Sequence, residues 1–118
     1  MTEKPIKRSK HLLLISREHH FGLLFCWKIR QGIKLKIDSA RIARYVQYFW
    51  QNQLHAHFEE EEMLIFLDKS DTLVQRAQEE HVHIKNQIQQ ILQAANHVTH
   101  QQLNGIADAI DNHIRFEE

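Results

Sequence analysis

The chain has 118 residues and a mass of 14.1 kDa, with 15 basic and 15 acidic side chains that cancel. That length suits one domain, residues 1–118, with one core and a flexible segment over residues 1–9. A single cysteine, Cys26, excludes a disulfide scaffold; balanced charge excludes a dedicated nucleic-acid binder; three glycines and one proline exclude a turn-rich β-sandwich.

Four helices are predicted in chain order. The first runs from about His11 to Gln31, with Leu12, Ile15, His19, Leu23 and Cys26 on one stripe and Ile29 at its edge. Gly32 reads as its stop. The second runs from about Ser39 to Leu67, with Asp38 or Ser39 as N-cap. Its inner stripe is Ile42, Tyr45 or Val46, Phe49, Gln53, His57, Glu61 and Leu64. The third follows Ser70 and reaches about Ala95, with Leu73, Ala77, His81, Ile84, Ile88 and Leu92 or Ile91 inward. Thr99-His100-Gln101-Gln102 then has the form of a capping box. The fourth helix follows, with Leu103, Ile106, Ile110, His113 and Glu117 on one face. No period-2 stretch or Asn-Gly turn argues for a strand. Short links favour antiparallel neighbours, so the expected fold is an all-α, up-down-up-down four-helix bundle.

Nothing in the sequence reads as a signal peptide or a membrane span, so no membrane partner is expected. With one thiol, the expected compartment is the cytoplasm. Residues 1–37 carry nine basic and two acidic side chains, and residues 38–118 carry six basic and thirteen acidic. We read this as a basic first helix lying beside acidic ones in one bundle. Trp27, Tyr45, Tyr48, Phe49 and Trp50 are read as core, and Cys26 as a small buried apolar residue.

The chain carries ten histidines. Each predicted inner stripe holds one of them: His19, His57, His81 and His113. Glu61 follows His57 by four residues, and Glu117 follows His113 by four, so each pair points into one space. Ionisable groups on an apolar stripe are costly unless paired or bound to a metal. At a rise of about 1.5 Å per residue, all six fall in one layer of a bundle roughly 40 Å tall. Four imidazoles and two carboxylates suit iron, manganese or zinc. A carboxylate between two histidine sets can bridge two ions, and six ligands leave two metals with open positions. His20 is the rival to His19 on the first helix. His55, His83, His11, His97 and His100 are read as surface or helix-end residues. In the acidic run 59–62, Glu61 faces inward, Glu60 is marginal, and Glu59 and Glu62 are solvated.

His57-x-x-x-Glu61, Glu80-His81 and His113-x-x-x-Glu117, with the Arg17-Glu18-His19-His20 segment, resemble the hemerythrin-like, or HHE cation-binding, domain. The resemblance covers almost the whole chain. It implies two non-haem irons inside a four-helix bundle, bridged by two carboxylates. His19, His57, Glu61, His81, His113 and Glu117 match its ligand positions. It also implies a small diatomic ligand, dioxygen or nitric oxide, bound or sensed at an open iron position. Two further roles follow from the family. One is an iron-dependent enzyme or repair factor, turning over peroxide or nitric oxide or delivering iron to iron–sulfur clusters. The other is a metal- or redox-responsive interaction module, with a homodimer as one form. Two positions depart from the invertebrate oxygen carriers of this family. Lys85 stands where they carry a second histidine on the third helix, which argues against reversible oxygen carriage. Their last carboxylate would fall at Glu118, whereas the HHE spacing selects Glu117.

Overall fold

A computed structural model describes the backbone of residues 4–64 and 71–117 and the side chains of residues 19–63 and 71–117. Expectations placed on the side chains of His11, Leu12, Ile15, Arg17, Glu18 and Leu64, and on Leu67, Ser70 and Glu118, lie outside the described residues. Every regular element among the described residues is a helix, as expected. It comprises α1 (Lys4–Lys34), α2 (Ser39–Phe49), a π turn (Trp50–Leu54), α3 (His55–Leu64), α4 (Thr72–Ala94), a 3-10 turn (Ala95–His97) and α5 (His100–Glu117). Helix α2, the π turn and α3 run on without a break and form the second rod of the bundle. Among the described residues, no helix is long and apolar enough to cross a membrane.

Contacts between the rods fix their directions. His19, Gly22 and Cys26 of α1 meet Glu117, Ile114 and Ala107 of α5. Phe25 and Gly32 of α1 meet Phe49 and Ile42 of α2. Arg76, His81 and Gln87 of α4 meet Phe116, His113 and Gly105 of α5. In each pair one number rises as the other falls, so these neighbours are antiparallel. The core between them is built from Phe25, Ile29, Val46, Phe58, Ile84, Ile88, Ile91, Leu103, Ile106 and Ile110, all nearly inaccessible to solvent. Each such side chain stabilises the fold by roughly 1.5–3 kcal/mol relative to exposure.

The helix ends show local rules at work. Gln102 N–H donates to Thr99 Oγ1 at 3.1 Å, and Thr99 N–H donates to Gln102 Oε1 at 3.0 Å, closing the expected capping box. At the start of α4, Asp71 is the N-cap and accepts from Leu73 N–H at 2.8 Å. Asp38 occupies the N-cap position of α2, but its side chain makes no capping bond. Gly32 does not stop α1, which continues to Lys34 and closes through Lys36 at φ 61°. The bare Cα of Gly32 instead admits Ile42, whose Cδ1 would lie 3.1 Å from an added Cβ. At the other end α1 begins at Lys4, seven residues before the predicted start.

The π turn corrects the predicted inner stripe of the second rod. Gln53 is exposed, and Leu54 takes the buried place after Phe49. A π turn holds one residue more than an α turn, so the inward step from Phe49 is five residues rather than four. From Leu54 the usual spacing resumes and brings His57, Phe58 and Glu61 inward. Leu73, Trp27 and Tyr48 were expected inside and are exposed. Leu73 lies in the first turn of α4, beyond the end of the core. Tyr45 and Trp50 are half-buried, and Phe49 is in the core.

Candidate metal centre

Five polar side chains of the described residues are buried: His19, His57, Glu61, His81 and His113. They lie on α1, α3, α4 and α5, in the layer predicted from helical rise. Glu117 joins them from the last turn of α5, with a side chain only 10% exposed. His20, the rival on α1, is exposed. His55, His83, His97 and His100 are exposed as well.

The six residues form two overlapping groups. One is His19, His57, Glu61 and Glu117; the other is Glu61, His81, His113 and Glu117. Within each group, the potential ligand atoms all lie within 4.8 Å of one another. Glu61 and Glu117 belong to both. Glu61 Oε1 lies 3.0 Å from His81 Nε2, 3.4 Å from His57 Nε2 and 4.0 Å from His113 Nε2. Glu117 Oε1 lies 3.0 Å from His19 Nε2, and its Oε2 lies 3.2 Å from His113 Nε2. Each carboxylate therefore stands between two histidine sets, as a bridge would.

The outer nitrogens of two rings identify the tautomer. His81 Nδ1 faces Glu62 Oε2 at 2.9 Å, and His113 Nδ1 faces Glu80 Oε1 at 2.7 Å. A carboxylate accepts, so each Nδ1–H donates outward and each ring turns its Nε2 inward. These two Nε2 atoms are 3.1 Å apart, with Glu61 Oε1 beside them. Lone pairs this close repel unless a cation sits among them. Without a metal, that cation is a proton. Burial disfavours a charged His113, but bonds to Glu117, Glu61 and Glu80 outweigh it and push the ring up to about 10. Burial likewise disfavours the Glu117 carboxylate, and bonds to His113 and His19 outweigh it, holding Glu117 well below the usual carboxylate range. Metal binding would replace the protons. The donor set thus fits divalent first-row metals.

Glu62 corrects the sequence reading. It was expected in solvent, yet it is half-buried and bonded to His81. Glu80, noted only as the neighbour of His81, bonds His113 across to α5. Lys85 points to Glu62 at 3.6 Å. Aromatic packing steadies the rings: Phe58 stacks on His81 at 3.8 Å and meets His113 edge-on at 5.8 Å. Cys26 takes no part. It donates to Ala107 O at 3.2 Å, and burial pushes its thiol up to about 12.

A pocket of about 310 Å³ opens beside the centre. His57 and His113 lie in its wall, among Phe21, Phe49, Phe58, Ile110 and Ile114, and the π turn contributes Asn52, Gln53 and Leu54. Gly22 belongs to the same wall; a Cβ there would lie 2.7 Å from Ile114 Cδ1. The bare glycine lets α1 and α5 close on each other at this level.

No curated protein and no solved structure matches the chain significantly. Residues 17–118 match the family model described as the hemerythrin HHE cation binding domain. With that match over most of the chain, and with buried histidines and glutamates converging from four helices, the protein belongs to the hemerythrin HHE cation-binding family.

Proposed function

We propose that the protein is a non-haem di-iron protein that binds or senses dioxygen, nitric oxide or a related small ligand. The observation that carries this reading is the pair of four-residue groups sharing Glu61 and Glu117. Two histidines per group and two shared carboxylates would hold two ions, with fewer protein ligands than full coordination needs. His19 and His57 would hold one ion, His81 and His113 the other. Two irons held there would supply one-electron redox chemistry and vacant coordination positions.

The chain itself supplies a guarded approach. The pocket reaches His57 and His113 between apolar side chains, which favour a small uncharged ligand over water and ions. Lys85 supports sensing or reaction over reversible carriage. It is engaged with Glu62 and adds no donor where the oxygen carriers have a histidine. The test is a nitric oxide titration of reduced, iron-loaded protein, followed by absorption. Saturable spectral change at a fixed ratio to iron is expected. No change in fully loaded protein would overturn the ligand-binding reading.

A further inference from the structure

Behind His81 and His113 stand two chains of contacts with the same order. Lys85 Nζ lies 3.6 Å from Glu62 Oε2, which lies 2.9 Å from His81 Nδ1. Arg76 Nε donates to Glu80 Oε2 at 3.1 Å, and the other oxygen of Glu80 accepts from His113 Nδ1 at 2.7 Å. Each chain runs from a cation at the surface, through a half-buried carboxylate, to a buried imidazole. Three of the four outer residues, Arg76, Glu80 and Lys85, lie on α4. The arrangement also crosses helices: Glu62 of α3 serves a ring on α4, and Glu80 of α4 serves a ring on α5.

We propose that Glu62 and Glu80 are positioning residues for the metal centre, and that Lys85 and Arg76 hold them in place. The inference rests on the metal-binding reading above. Physically, an imidazole on Cβ can rotate and can carry its proton on either nitrogen. A carboxylate behind Nδ1 stops both. It keeps a proton on Nδ1 and Nε2 aimed inward, and it strengthens Nε2 as a metal ligand. A plain surface ion pair would not need the carboxylate to face a ring that is 0–3% exposed. Both carboxylates do so, and Glu80 divides its two oxygens between the ring and the guanidinium. Arg76 also lies over the Phe116 ring at 3.9 Å, beside Glu117, which limits its freedom to leave Glu80.

The experiment is cobalt(II) binding to metal-free protein, read by visible absorption and by competition with a chelator. Glu62→Ala and Glu80→Ala should each weaken cobalt affinity by about 10–100-fold. Glu62→Gln and Glu80→Gln should recover much of the loss, because an amide oxygen still accepts from Nδ1–H. Arg76→Ala should weaken binding less than Glu80→Ala, and the double variant no more than Glu80→Ala alone. Melting of the metal-free variants separates positioning from folding. The proposal is overturned if the alanine variants bind cobalt as the wild type does. It is also overturned if the alanine and glutamine variants lose affinity equally, in step with metal-free stability. Failure of the wild type to bind cobalt would instead overturn the metal-binding reading, and this inference with it.

Discussion

Glu61 is the residue whose loss separates a shared metal centre from a set of individually satisfied histidines. Its side chain is 2% exposed and its Oε1 approaches His81, His57 and His113. Removing one partner from a buried charged network costs about 3–5 kcal/mol, because the remaining charge keeps its burial and loses its compensation. Against a total stability of roughly 5–15 kcal/mol for a domain of this kind, Glu61→Ala should lower the melting temperature of metal-free protein markedly. Glu61→Gln keeps the shape and removes the charge. Its effect on metal should be larger than its effect on folding, since Glu61 belongs to both four-residue groups. We expect Glu61→Gln to retain almost no metal. His57→Ala should retain about half the wild-type amount, because the group of Glu61, His81, His113 and Glu117 stays whole. The assay is elemental analysis of purified variants, with urea unfolding in the presence of a chelator. Wild-type metal content in a folded Glu61→Gln protein would refute the bridging role.

Three further outcomes are expected. Metal-free protein should lose stability as pH rises from 6.5 towards about 10, because the folded state holds the His113 proton more tightly than the unfolded chain does. His113→Gln should remove that slope in urea titrations run across the range, and a flat wild-type profile would contradict it. Deleting Gln53 should convert the π turn to an ordinary α turn while leaving Phe49, Leu54, His57 and Glu61 on one face. Helical content by circular dichroism and metal content should both survive; loss of either would count against the one-extra-residue account. Ala56→Trp should fill the pocket from an exposed position in its wall. It should slow nitric oxide binding to iron-loaded protein in stopped-flow absorption without changing metal content; an unchanged rate would show that ligand enters elsewhere.

The six-residue layer was legible because helical rise and helical period are rigid rules. They placed His19 rather than His20 inward and brought His57, Glu61, His81, His113 and Glu117 to one level. The capping box at Thr99 was legible for a similar reason, since its bonds join residues only three apart. The π turn was not. A single five-residue step looks like a minor irregularity in a 3.6-residue period, so Gln53 was read into the stripe that Leu54 fills. Glu62 was misread because an acidic run suggests solvent. Its partner, His81, lies on another rod, and only the packing of α3 against α4 reveals it. Glu80 shows the same limit, as the carboxylate of one helix bonded to the histidine of the next. Trp27 and Tyr48 were placed inside on residue type alone, although a large apolar side chain on the outer face is unexceptional.

The most direct test is the metal content of protein produced with iron supplied, measured per folded chain alongside a helical circular dichroism spectrum. The two overlapping groups predict about two irons per chain, removable by chelation and restored on reconstitution. A folded, helical protein that never holds metal in stoichiometric amounts would contradict the account at its centre.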